Sequence, residues 1–258
     1  MTAGSPDFQL KLADCEADIR AAQRLRYAVF VEELGGAGAQ IDHAARLEKD
    51  RHDPYFDHLL LLDRKRDESD QVVGAYRLLR SDQVQAAGGY YSASEYDLTR
   101  LTTTGRRLLE LGRSCLHPDY RGGTAMFELW NGLAEYVQEH QIELMFGVAS
   151  FHGTDLGQLA PSLSLLHHWH LAPDEIRVRA HDRHLQRMDL LEPGQIDKRA
   201  AMVAIPALIK GYLRLGGHVG EGAFVDHAFN TVDVCLVMDT KRMNARQRDL
   251  YTRKRGAA

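Results

Sequence analysis

The sequence predicts an α/β chain built on one mixed sheet that carries helices on both faces. Three observations predict it. Several short segments alternate apolar and polar residues, as half-buried strands do. Longer segments repeat apolar residues three or four apart, and two of the alternating segments are joined by a short charged loop, a hairpin pattern. The 258 residues, 44% hydrophobic and 26% charged, suffice for a sizeable core.

Residues 8–12 alternate like a strand. Asp14 is placed to cap a helix running to about Glu32, with Ile19, Ala22, Leu25 and Val29 at helical spacing. A glycine-rich stretch over 34–40 ends it. Residues 58–62 and 71–79 read as strands around the charged loop 63–70, and 107–117 as a third strand that Pro118 stops. A helix over 124–140, a strand over 143–149 and a helix over 156–168 follow. Residues 176–191 alternate like a paired strand or hairpin. Pro206 opens a short helix reaching Leu213, 231–238 is a last strand, and 241–254 a terminal basic helix. No repeat or linker divides the chain, so it reads as a single domain over 1–258 with a basic helix and tail over 241–258.

Composition excludes several classes. No apolar run approaches the roughly 20 residues needed to span a bilayer. Residues 1–10 lack the basic start and apolar block of a secretory signal, and three widely separated cysteines (Cys15, Cys115, Cys235) fit a reducing cytoplasm. His167, His168 and His170 have no nearby carboxylate or cysteine to complete a metal site, so none is expected. A pI near 6.3 without a recognition motif argues against nucleic acid. From Leu171 onward 15 Lys and Arg meet 11 Asp and Glu, net +4, which leaves −8 for the remainder against −4 overall. That basic third suits an acidic protein, an anionic membrane surface or simply a solvated face.

Groups of residues then point to a family. Arg24, Arg26 and Phe30 precede the Glu-Lys-Asp-Arg-His-Asp-Pro run at 48–54, Asp57-His58 and the segment 74–78. Glu110-Leu111-Gly112-Arg113-Ser114 is followed by 118–123, then by 149–155, 206–215 and 229–234. Together these resemble the ornithine N-acyltransferases that make lyso-ornithine lipid, within a GNAT-like superfamily shared with the acyl-homoserine-lactone synthases. The resemblance covers about residues 25–236. It implies a GNAT-like, mostly antiparallel sheet with a bulged and splayed central strand. It also implies transfer of a 3-hydroxyacyl group from the 4′-phosphopantetheine arm of acyl carrier protein to the α-amine of L-ornithine. No permanently bound cofactor is implied, and the setting is cytoplasmic, with peripheral contact at the membrane's inner face.

Such a transfer requires a neutral amine, an adjacent thioester carbonyl and stabilisation of an oxyanion. An α-amine has a pKa of about 7.7–8.0, so a neutral fraction already exists. Glu110 and Arg113 are the expected catalytic pair. Three apart in a regular strand they point to opposite faces, and a bulge at Gly112 would bring them to one side. The resemblance implies that bulge. Glu110 then accepts the amine proton and Arg113 orients it or holds an anionic group; a surface ion pair beside a glycine is the plainer alternative.

Asp50, Asp53 and Arg77, with Arg26, are expected on the acceptor side, where a bidentate arginine suits a carboxylate and a carboxylate suits a second cation. The same groups could instead lock the N-terminal loop to the sheet. Phe30, Ser114 and His152 join the substrate-binding set through the resemblance, although a loop-fixing hydrogen bond also explains His152. Arg121-Gly122-Gly123-Thr124 stands where coenzyme-A-using relatives carry a glycine loop for pyrophosphate. Thr124 and Met126 replace two of those glycines, which favours a carrier-protein donor; a plain strand-to-helix turn explains the loop as well. Arg121, Arg177, Arg179, Arg183 and Arg187 are the expected docking residues for the acidic carrier, with Lys198, Arg199 and the terminal basic residues behind them.

Two other readings compete. One replaces ornithine with S-adenosylmethionine to make a homoserine-lactone signal, against which Leu34-Gly35-Gly36 stands where an aromatic residue is expected. The other is a non-enzymatic acyl- or lipid-binding protein of haemolysin-like label.

Overall fold

The computed structural model describes residues 5–38 and 40–243. In chain order its elements begin β1 (Phe8–Leu12), α1 (Glu16–Arg26), β2 (Asp57–Asp63), β3 (Val72–Arg80), β4 (Tyr96–Asp97), α2 (Thr99–Thr102), β5 (Leu108–Leu116) and α3 (Ala125–Glu139). They continue with β6 (Leu144–His152), α4 (Leu156–His170), β7 (Arg179–Ala180), β8 (Leu185–Gln186), α5 (Lys198–Ala204), α6 (Ala207–Arg214), β9 (His218–Val219), β10 (Ala223–Asp226) and β11 (Thr231–Asp239). The sheet is mixed and mostly antiparallel, as the sequence predicts. Among the described residues the chain forms two compact units: the first holds those up to Leu79 and from Leu111 to Gln141, the second Arg80–Glu110 and those from Ile142 on. The boundary falls inside β5, after Glu110.

In the first unit β1, β2 and β3 are antiparallel neighbours, and β5 follows β3. Period-two alternation sends successive β2 leucines to opposite faces. Leu60 packs with Ala75, Cys115 and the Ala22, Leu25 and Val29 stripe of α1 and the turn after it. Leu59 lies under α3, where a Cβ on Gly132 would stand 3.0 Å from Leu10 and 3.2 Å from Leu59. Helices therefore cover both faces. Beyond Arg26 the α1 helix widens into a π-helix over Tyr27–Glu33, a form that recurs at functional sites.

In the second unit β5 pairs in parallel with β6 from Leu108↔Leu144 to Glu110↔Phe146. β6 then pairs with β11 along its whole length, from Leu144↔Asp239 to His152↔Thr231, and β10 and β8 follow β11. Tyr96, Leu101, Phe146, Ile176, Val178, Cys235 and Val237 form the core of this unit. Asp155 caps α4 by accepting from the amides of Gly157 and Gln158, and Asp197 caps α5 in the same way.

Two expectations are corrected. Cys15, not Asp14, occupies the N-cap of α1 and makes no side-chain cap bond; Asp14 pairs with Lys11 at 3.3 Å. The alternation over 176–191 becomes two strands of two residues, one pairing with β4 and the other with β10, because tight turns at 174–176 and 182–184 break it. Beside Gly112, where the bulge is expected, Arg113 takes up left-handed backbone at φ 50°. The terminal basic helix lies outside the described residues beyond Met243.

Gly220 tests the packing of the second unit. A Cβ there would stand 2.7 Å from Val178 Cγ2 and 2.9 Å from the Val178 carbonyl oxygen, which backbone cannot vacate. Gly220→Ala is predicted to cost about 1–3 kcal/mol, a fall of several degrees in Tm by calorimetry. An unchanged Tm contradicts the contact.

Candidate active site

Arg26 and Gln23 sit on the α1 stripe next to the apolar one and turn toward the loop at 48–53. Arg26 grips Asp53 with both terminal nitrogens, at 2.9 and 2.7 Å, and its Nε lies 2.6 Å from Glu48. It also donates to the Glu48 carbonyl at 2.6 Å, and Gln23 donates to Asp53 at 2.8 Å. From β3, Arg77 Nη1 reaches Asp50 at 2.7 Å and Asp53 at 2.9 Å. From β5, Arg113 reaches Glu48 at 3.0 Å and Asp50 at 3.4 Å. Three guanidiniums thus meet three carboxylates, and each carboxylate touches two arginines. The whole set lies in the first unit.

Burial makes this balance necessary. Arg26 and Arg77 are each 1% exposed, and removing one partner from such a set strands a buried charge. Burial pushes the Asp53 carboxyl up, but Arg26 and then Arg77 outweigh it and hold the group well below the usual carboxylate range. Asp50 is likewise pushed up by burial and drawn down further by Arg77 and Arg113. Arg26 is raised: burial lowers it, and Glu48 and Asp53 more than restore it. His58 is lowered mainly by burial, and its Nε2 donates to the Asp53 carbonyl at 3.0 Å. The Arg77 guanidinium also stacks on Phe56, 4.5 Å from the ring centre, and a Cβ on Gly112 would approach its Nε at 4.0 Å.

The expected catalytic pair has well-defined partners. Glu110, 1% exposed and in the second unit, accepts from the amides of Tyr91 at 2.9 Å and Ser92 at 2.6 Å. It therefore anchors the turn Tyr91–Ser94. Arg113 bonds to Glu48 and Asp50, and its left-handed backbone, which costs a non-glycine residue roughly 1–2 kcal/mol, is held by those two ion pairs. Ser114 Oγ is buried with no hydrogen-bond partner among the described residues.

Of the remaining predicted residues, Phe30 packs against the first unit's core. His152 is the exposed last residue of β6. The docking arginines are engaged locally: Arg121 with Glu33, Arg177 with Asp174, Arg179 with Asp182 and Glu221, Arg183 with the Ser94 carbonyl, and Arg187 with Asp189. His168 bonds to the Leu191 carbonyl at 2.9 Å. Asp14, Cys15 and Asp18 bring metal-ligating atoms together, but Lys11 sits 2.7 Å from Asp18. Sequence reasoning missed Glu48 as a site residue, although it belongs to the same acidic run as Asp50 and Asp53. The signal was a count: three arginines (26, 77, 113) bound for the interior require a third acid.

Comparison with known proteins bears on this geometry. Residues 25–131 match the family model described as an acetyltransferase (GNAT) domain. The chain is 59% identical over 256 residues to the L-ornithine N(alpha)-acyltransferase of Rhodobacter capsulatus, covering 98% of each chain. It is 43% identical over 248 residues to the protein of that name from Brucella abortus, covering 95% of this chain and 88% of the relative. Among solved structures, the acyl-homoserine lactone synthase LasI aligns over 96% of this chain and 95% of its own, with a TM-score of 0.50 at 14% identity. The CoA-dependent synthase BjaI aligns over 92% and 81%, with a TM-score of 0.50 at 15% identity. These two similarities show the fold.

Asp50 and Asp53 are depressed in the folded state, so their contribution is complete above the ordinary carboxylate pKa of about 3.9 and is lost as pH falls through the lowered values. Urea midpoints measured from about pH 6 to about pH 2 are predicted to drop steeply below about pH 4. The double variant Asp50→Asn/Asp53→Asn starts lower and falls less steeply; a fall as steep as the wild type's contradicts the assignment.

Proposed function

Because the chain belongs to the family of the L-ornithine N(alpha)-acyltransferases, we propose that it acylates the α-amine of L-ornithine to give lyso-ornithine lipid. In this reading the donor is a 3-hydroxyacyl thioester on the 4′-phosphopantetheine arm of acyl carrier protein. The chain is an acyltransferase, and the observation that carries the choice of acceptor is the end-to-end match to the Rhodobacter relative. The described residues contain no helix long and apolar enough to cross a membrane. We place the enzyme in the cytoplasm, meeting the membrane's inner face peripherally through its basic surface.

In the transfer the amine nitrogen bonds to the thioester carbon, the tetrahedral intermediate collapses, and the carbon–sulfur bond breaks. The amine proton leaves and the departing thiolate takes up a proton. Glu110 serves as the proton acceptor. The Tyr91 and Ser92 amides fix both its oxygens, and a carboxylate with about four lone-pair sites still has capacity for a proton. Arg113, rigid on Glu48 and Asp50, holds its segment of β5 in place. The charged network locks the 48–53 loop to α1, β3 and β5, so its carboxylates answer the three arginines.

Mass spectrometry of products from purified protein, 3-hydroxyacyl carrier protein and a panel of ornithine, lysine, glycine and S-adenosylmethionine tests the acceptor. Nα-acylornithine is expected to dominate, and a dominant product from another amine contradicts the assignment. Glu110→Gln is predicted to lower kcat about 100-fold or more, and also to lower the melting temperature because one of the two amides loses its acceptor; retained turnover in the folded variant contradicts the proton role. Arg183→Glu with Arg187→Glu is predicted to raise KM for the carrier without changing KM for ornithine. That effect should fade as salt screens it, and salt-independent kinetics would remove these arginines from the docking surface.

A further inference from the structure

One face of the second unit's sheet changes character along its length. On β11, Thr231, Asp233 and Cys235 share that face, since strand side chains alternate. Opposite them on β6 stand His152, Ser150 and Val148, and Phe224 of β10 faces Asp233. Cys235 belongs to the apolar core, with Val148 and Phe224 packed against it. One pair outward, Asp233 is 5% exposed beside the exposed Ser150. At the next pair Thr231, also 5% exposed, stands beside the exposed His152. A buried carboxylate and a buried hydroxyl thus lie just inside an open polar rim.

Two observations point to a ligand. Thr231 Oγ1 is buried without a hydrogen-bond partner among the described residues, a state that costs about 1–3 kcal/mol unless a donor arrives. Acidic side chains also lie close by. The Tyr96 hydroxyl is pushed well up, first by burial and then by Cys235, Glu95 and Asp233. That hydroxyl donates to the carbonyls of Asp233 at 2.9 Å and Gly222 at 3.1 Å, which pins this part of β11 and leaves little room for it to shift.

We infer that this strip is a binding subsite for a primary alkylammonium at the far end of the acceptor's side chain. Asp233 supplies the opposite charge and Thr231 Oγ1 a further acceptor. Val148 and Phe224 wall the methylenes, and Ser150 and His152 form the mouth. The inference rests on the ornithine reading and deepens it, naming the residues that distinguish a diamino acid from an amino acid of the same length with an uncharged side chain.

The test compares L-ornithine with L-2-aminopentanoate, which has the same carbon chain without the terminal amine. Turnover of ornithine by the wild-type protein tests the parent reading first, and its absence would sink that reading and not the subsite alone. With turnover established, the wild type is expected to favour ornithine strongly. Asp233→Asn is expected to raise KM for ornithine about 10- to 100-fold, the size of a lost charge-assisted bond, and to leave KM for 2-aminopentanoate unchanged. Thr231→Val, which removes the unpartnered hydroxyl and keeps the shape, carries the test if Asp233→Asn does not fold; it is expected to raise KM for ornithine alone by a smaller factor. Equal effects on both acceptors, or no preference in the wild type, overturn the subsite.

Discussion

The two parallel hydrogen bonds between Arg26 and Asp53 hold together what the rest of the first unit requires. Arg26 leaves α1 at its last turn, and both residues are buried, so neither charge has water to fall back on. Asp53 is then shared with Arg77 on β3, Arg77 reaches Asp50, and Asp50 and Glu48 hold Arg113 on β5. A chain of bidentate and shared contacts ties one helix, one loop and two strands into a single arrangement. Removing Arg26 or Asp53, both buried, leaves the set one counter-charge short, a loss of about 3–5 kcal/mol. The π-helix after Arg26 and the left-handed backbone of Arg113 both adjoin this network, and both are conformations that a chain keeps only when its surroundings enforce them.

Acceptor recognition looks different in this light. Charged side chains that satisfy one another make a rigid wall and leave little free charge for an amino acid. On the polar strip of the second unit, Thr231 Oγ1 has no hydrogen-bond partner among the described residues, and Asp233 lies just inside an open rim. A buried hydroxyl of that kind gains a hydrogen bond when a donor arrives.

The fold was largely legible from periodicity. The β2–β3 hairpin, α3, α4 and β11 stand within a residue or two of the segments that their patterns predict, because each buries one face against a single layer. The stretch 176–191 misled: its alternation is real, yet tight turns divide it into two brief pairings with different partners, which no local pattern reveals. Arg26, Asp50, Asp53, Arg77 and Arg113 were legible as a charged set through the resemblance, but not their mutual neutralisation, which depends on contacts between residues 22 to 65 positions apart. Asp233 was hidden for a related reason. A lone acid in a run of valines reads as a strand edge, and only its register against Ser150 and Phe224 shows it beneath an open rim.

A double-mutant cycle on Arg26 and Asp53, read by urea unfolding, tests the network most directly. With Arg26→Met and Asp53→Leu, the account predicts that each single change destabilises the fold by about 3–5 kcal/mol. The double change should recover much of that loss, because no buried charge is then stranded. Single variants that unfold at wild-type urea concentrations, or single losses that simply add in the double variant, would contradict it.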